Sequence, residues 1–208
     1  MTTHVDPLAP SERELAGGIR RASALGLVAL SLIGTIASAL LLRTGVFYAS
    51  HPDASLACDV NPLIGCSSSL QAPEGHLFGV PNALVGTIGF ALFLGIAIVL
   101  ACGRRVPRLL WGLIGLGCLA GCVWIVWFLY LSVTTFRSLC PYCLVVWVVT
   151  IPLTCIVWSH LARTRRAGSP EGMRRILLQA RWLIVIVVYA AIIATVAVGL
   201  ADKVALVL

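Results

Sequence analysis

The sequence predicts an all-α membrane protein with five transmembrane helices, on three observations. Of its 208 residues 60% are hydrophobic and only 11% are charged, and the mean hydropathy is +1.01, far more apolar than an ordinary soluble domain. Five stretches, at 22–42, 80–102, 109–136, 144–161 and 182–200, reach the length of about 20 apolar residues that a helix needs to cross the hydrocarbon at roughly 1.5 Å per residue. None of these stretches contains Asp, Glu, Lys or Arg.

Taken in order, the first span follows Arg20 and Arg21, the charge pattern of a signal peptide, but no small-residue cleavage site follows it; it reads as a retained helix. The second span starts after Gly79. The third carries Gly112, Gly115, Gly117 and Gly121 around Cys118 and Cys122, a small-residue surface suited to close helix contact. Its Trp124, Trp127, Phe128 and Tyr130, with Trp158 of the fourth span, read as packing and interface anchors. Asn82 and His160 lie near span ends and read as ordinary interfacial groups. Spans without charged side chains weigh against an ion or proton pathway through the bilayer, which needs them.

The net charge of +7 would suggest a nucleic-acid partner in a soluble protein. In this chain the cations sit in the connections between spans, where they set orientation. Arg13, Arg20, Arg21, Arg104, Arg105, Arg108, Arg163, Arg165, Arg166, Arg174, Arg175 and Arg181 fall on one side, against Arg43, Arg137 and Lys203 on the other. The positive-inside rule then makes residues 1–21, the 103–108 turn and the 162–181 loop cytoplasmic. The 43–79 loop, the 137–140 turn and the C-terminus face outward, and no nucleic acid is expected as a partner.

That topology gives the cysteines their meaning. Of eight in the chain, Cys58 and Cys66 lie in the long outward loop and Cys140 and Cys143 lie at the outer start of the fourth span. Disulfides persist outside the cytoplasm and are rare within it, so two pairs on this face point to redox or structural bonding. In Cys140-Pro141-Tyr142-Cys143 the sulfurs are about one helical turn apart, and free N–H groups at a helix start stabilise a thiolate. Pro141 suits a first turn, which does not need its N–H. Asn61-Pro62 and Gly65 make the segment between Cys58 and Cys66 look like a mobile hairpin able to carry a dithiol to the helix-start pair. Two other readings stay open: structural disulfides in a membrane scaffold or transport subunit, and a zinc site of four sulfurs. The remaining Cys102, Cys118, Cys122 and Cys155 read as small apolar packing residues.

Cys58-Asp59-Val60 through Cys66-Ser67, the following Phe78-Gly79 and the Cys140-Pro141-Tyr142-Cys143 motif at a span start together resemble the vitamin K epoxide reductase family, in its bacterial branch, over residues 20–165. The resemblance implies a four-helix bundle around a quinone site, residues 22–165, with a peripheral fifth helix in residues 166–208. It implies that a separate thioredoxin-like (DsbA-like) partner outside the cytoplasm reduces the loop pair, that the loop pair reduces the helix pair, and that electrons pass to membrane menaquinone or ubiquinone. By the same resemblance Cys58 and Cys66 are the shuttle cysteines, Cys140 exchanges with the loop, and Cys143 acts on the quinone. The inner (plasma) membrane is the implied location. The chain departs from the family pattern in having Gln71-Ala72 where many relatives have Ser-Ser, and Trp147 where many animal members have Tyr. Trp147, one turn after Cys143, is accordingly the implied quinone-wall residue, donating only through its indole N–H.

Overall fold

The computed structural model describes residues 10–51, 55–77, 79–164 and 171–207. Its helices are α1 (Glu12–Leu15), α2 (Arg21–Ser50), α3 (Ser67–Gln71), α4 (Asn82–Ala101), α5 (Arg108–Leu131), α6 (Pro141–Thr164), α7 (Glu171–Gln179), α8 (Arg181–Gly199) and α9 (Ala201–Val207). A two-stranded hairpin, β1 (His76–Leu77) and β2 (Val80–Pro81), precedes α4. Helices α2, α4, α5, α6 and α8 are long and apolar enough to cross a membrane. In lipid the backbone must satisfy its own hydrogen bonds, and helices do this within one segment. Side chains such as Leu92 and Val123, 67% and 70% exposed, therefore face a solvent in which exposure costs nothing.

Helix α6 is the centre of the assembly. Half of its most apolar stretch is buried by other elements, against 6% for α8, and α2, α5 and α8 all pack on it. Helix α4 lies mainly on α2. At Gly115 α5 lies close against α6: a Cβ there would stand 2.7 Å from Leu161 Cδ1, and the Gly115 carbonyl accepts from Trp158 Nε1 at 3.2 Å. Gly121 also faces α6, whereas Gly117 has open space around it, so only part of the glycine-rich surface is used within the chain.

The fifth helix docks through a defect in α6. Pro152 lies inside α6 and has no N–H to give the carbonyl four residues earlier. That carbonyl belongs to Val148, and it accepts instead from the Tyr189 hydroxyl of α8 at 2.6 Å. Near the far end of α8, Arg137 donates to the Gly199 carbonyl at 3.1 Å and pairs with Asp202 at 2.6 Å. Arg137 sits at φ 53, in the left-handed region, and ends the π-type turn Ser132–Phe136 that follows α5. The chain is thereby turned toward Cys140.

Several elements run past the limits expected from hydropathy. Helix α2 does not stop at residue 42 but continues through Arg43 to Ser50, so the connecting loop is shorter than 43–79. The extension is held because Tyr48 packs against the cysteine cluster of that loop. The loop is itself structured, containing α3, a 3-10 turn and the hairpin. Helix α6 begins at Pro141 and runs to Thr164, and α7 occupies part of the expected 162–181 loop. Arg163 is therefore helical and buried, bridging Glu14 at 3.6 Å. His160 is also buried rather than interfacial, 4% exposed, with its ring 4.0 Å from that of Trp111. Phe78, Arg165 and Arg166 lie outside the described residues.

Candidate functional site: two cysteine pairs in contact

The site is built on the loop between α2 and α4 and on the first turn of α6. Asn61 makes a tight turn in the loop, its Oδ1 accepting from Leu63 N at 2.9 Å and Ile64 N at 2.8 Å; Asn favours such local bonds to its own backbone. The chain then pairs with the segment just before Cys140: Leu139 N donates to Leu63 O at 2.8 Å and Gly65 N donates to Leu139 O at 3.1 Å. Where a mobile hairpin was expected, the structure has a loop clamped by backbone bonds to the neighbour of its target cysteine.

Asp59 supplies the next restraint. Its Oδ1 accepts from Cys66 N at 2.6 Å and from Ser67 N at 3.2 Å, capping α3 from seven residues upstream, since Cys66 at the N-cap position offers no side-chain cap. Capping oxygens satisfy N–H groups that a helix start leaves orphaned. Gly65 makes room for this carboxylate, because a Cβ there would lie 2.8 Å from Asp59 Oδ1. At the other end of α3, Gln71 donates its carboxamide N–H to the Tyr48 hydroxyl. Gln71 thus ties the loop to the extension of α2.

These restraints bury the sulfurs together. Cys58 and Cys66 form a disulfide with Cα atoms 5.8 Å apart, while Cys140 and Cys143 are free thiols. Cys66 is fully buried, and Cys58 and Cys140 are each 5% exposed, in one cluster with Leu56. Cys140 Sγ donates to Cys66 Sγ across 3.8 Å. The Cys140 thiol is held below its usual pKa: the Cys143 thiol donates to it, burial opposes, and the N–H groups of Cys143 and Tyr142 and the Ser69 hydroxyl assist. The neighbouring thiol is the main cause, and the helix-start N–H groups add the smaller part.

Cys143 joins two environments. On one side it touches the loop cluster; on the other it packs on a buried cluster of Ile125, Phe128, Trp147, Ile151 and Val185, with Trp124 and Phe136 at its edge. Trp147 is 5% exposed and lies in this apolar, aromatic wall. The other four cysteines lie away from the cluster: Cys118 in the core between α2, α5 and α6, Cys122 against Thr154 at 3.5 Å, Cys155 beside the Trp147 cluster and Cys102 exposed after α4. Asn82 anchors the hairpin, donating to Glu74 O at 2.7 Å. Among the described residues, no three His, Cys, Asp or Glu side chains converge as a metal site.

Sequence reasoning had the four cysteines but not what positions them. Asp59 was visible as the residue after Cys58, though its role depends on a bond to a residue seven positions away. Leu139 and Tyr48 carried no signal, because their contacts are made across the fold.

Five apolar helices that can span a bilayer, with a disulfide in contact with a dithiol at one end, define a membrane thiol oxidoreductase. The family follows from the sequence comparison: residues 25–158 match the model of the vitamin K epoxide reductase family. More than half of the chain is covered, and the chain belongs to that oxidoreductase family. A comparison with curated proteins gives no match.

Proposed function

We propose that the chain reoxidises a thioredoxin-like protein outside the cytoplasm and passes two electrons to a membrane quinone, menaquinone or ubiquinone, from the inner (plasma) membrane. The observation that carries this reading is the 3.8 Å contact between Cys66 Sγ and Cys140 Sγ. The arginine bias supports placing both pairs on the outer face, and residues 22–165 are the catalytic unit.

In the relay, Cys66 of the reduced loop attacks Cys140 of a Cys140–Cys143 disulfide. The Cys66–Cys140 bond forms and Cys143 leaves as a thiolate. Cys58 then attacks Cys66, the loop disulfide forms, and Cys140 leaves. The N–H groups of Tyr142 and Cys143 at the start of α6 stabilise the departing thiolate, and a more stable leaving thiolate speeds thiol–disulfide exchange. A loop disulfide beside two helix thiols is the product of this sequence. Trp147 and its cluster line the face of Cys143 away from the loop and exclude water there. The quinone, when bound against that wall, supplies a two-electron, two-proton acceptor for the helix dithiol.

The test is a chain keeping only Cys66 and Cys140 of the four, which forms an interpair disulfide under mild oxidation, visible as a peptide crosslink by mass spectrometry without reductant. The chain keeping only Cys58 and Cys143 crosslinks poorly. Equal crosslinking of the two, or none in the first, overturns the order of exchange.

Burial of both loop sulfurs favours a second reading, in which the Cys58–Cys66 bond is a structural staple of a scaffold. A staple stays oxidised when a reduced thioredoxin-like protein is supplied, whereas a shuttle forms a transient mixed disulfide.

A further inference from the structure

The outer end of the fifth helix is joined to the segment that carries Cys140. Residues 137–139 stand immediately before that cysteine, and Arg137 reaches from them to α8 and α9. Its Nη1 donates to the Gly199 carbonyl at 3.1 Å and its Nη2 meets Asp202 Oδ2 at 2.6 Å. At Gly199 α8 comes close against the turn that follows α5, since a Cβ there would run into the Val133 side chain. The backbone at this joint is unusual in two ways. Ser132–Phe136 forms a π-type turn, a rare conformation that is frequent at functional sites. Arg137, at φ 53, is the one non-glycine residue with a positive φ among the described residues, and such a residue persists only where its surroundings hold it.

What the joint does follows from what else holds Cys140. Leu139 pairs with Leu63 and Gly65 of the loop. Cys58 and Cys66 are buried, so a protein partner meets them only when the loop swings out, and this ladder opens with it. The Arg137 bonds go to α8 and α9 instead, elements that are not part of the loop. They remain when the ladder is broken.

We propose that Arg137, held by the Gly199 carbonyl and Asp202, is a positioning residue that keeps Leu139 and Cys140 in place to receive the returning loop. The end of the fifth helix thereby belongs to the exchange site. This rests on the relay proposed above; it adds no chemical step and sets how often Cys66 meets Cys140. The two bonds are unequal. Both partners of the Arg137–Asp202 pair are solvent-exposed, and exposed pairs contribute little. The bond to the Gly199 carbonyl is part-buried and contributes more, as one made by a charged donor.

The test uses three full-length parents in nanodiscs, which keep of the four site cysteines only Cys66 and Cys140, only Cys58 and Cys66, or only Cys140. R137N removes the guanidinium and leaves a residue type that tolerates the left-handed backbone. It slows the Cys66–Cys140 crosslink under mild oxidation, and speeds alkylation of Cys140 by a water-soluble maleimide, each by at least about fivefold. Both are read by peptide mass spectrometry. Closure of Cys58–Cys66 and the thermal unfolding midpoint change little, which separates positioning from a general loss of structure. G199A, on the fifth helix and far in sequence from any site cysteine, reproduces R137N. R137K keeps a cationic donor and regains most of the crosslinking rate, and D202N costs less than about twofold. Wild-type rates in R137N or G199A, or a fall in Cys58–Cys66 closure and in the unfolding midpoint alongside the crosslink, overturns the proposal. If the Cys66 and Cys140 parent fails to crosslink while R137N still opens Cys140 to the maleimide, the order of exchange falls and the positioning by Arg137 stands.

Discussion

Replacing Asp59 by Ala should make the loop disulfide easier to reduce without loosening the helices. Both loop sulfurs are buried, so a small thiol such as glutathione reaches them only when the loop opens. When reclosing is fast, the rate of reduction follows the open population. Asp59 Oδ1 holds the N–H groups of Cys66 and Ser67. Losing a helix-capping oxygen costs about 0.5–2 kcal/mol, and the exposure of this carboxylate argues against the upper end. About 1–1.4 kcal/mol raises the open population roughly five- to tenfold, and D59A should be reduced faster by that factor. D59N keeps an acceptor oxygen but loses the charge, which gives about half the energy and roughly a two- to threefold acceleration. The thermal unfolding of the helical body should change little. Reduction of D59A at the wild-type rate, or of D59N faster than D59A, refutes the claim that this carboxylate seats the loop.

Orientation is tested with a membrane-impermeant thiol reagent added to intact cells, which should label Cys58 or Cys66 after reduction; labelling only after lysis reverses the topology. Replacing Cys102, Cys118, Cys122 and Cys155 together by Ala or Ser should leave thiol oxidation largely intact, whereas losing any one of Cys58, Cys66, Cys140 or Cys143 should stop sustained turnover, measured as quinone reduction by a reduced thioredoxin-like donor. Glu14 sets an acid limit. Burial pushes its pKa up, but the Ser11 N–H and hydroxyl with Arg20 and Arg163 outweigh this and hold it below the usual value. A carboxyl more acidic in the folded state stabilises above its unfolded pKa of about 4.3 and loses that contribution as pH falls through the folded value. The midpoint difference between wild type and E14Q should therefore shrink on the acid side, and a difference independent of pH contradicts the assignment.

The sequence by itself determined the membrane class, because apolar runs without charge have one stable backbone solution in lipid. It determined the pairing of cysteines by region and the asymmetry of charge between the two ends. These properties are local: length, composition and spacing carry them. Tertiary structure decided the rest. That Cys66 faces Cys140 depends on a backbone ladder between Leu63, Gly65 and Leu139 and on a carboxylate seven residues from the N–H it caps. Helix α2 outlasts its apolar run because Tyr48 finds partners in a loop distant in sequence. The arginines read only as orientation signals acquire specific roles, with Arg163 buried against Glu14 and Arg137 joined to α8. The Tyr189 bond that compensates Pro152 links two residues whose relation no spacing rule encodes. A hydrogen bond or ion pair between separate helices exists only once packing has brought its partners within reach, and packing is set by the shape of the whole bundle.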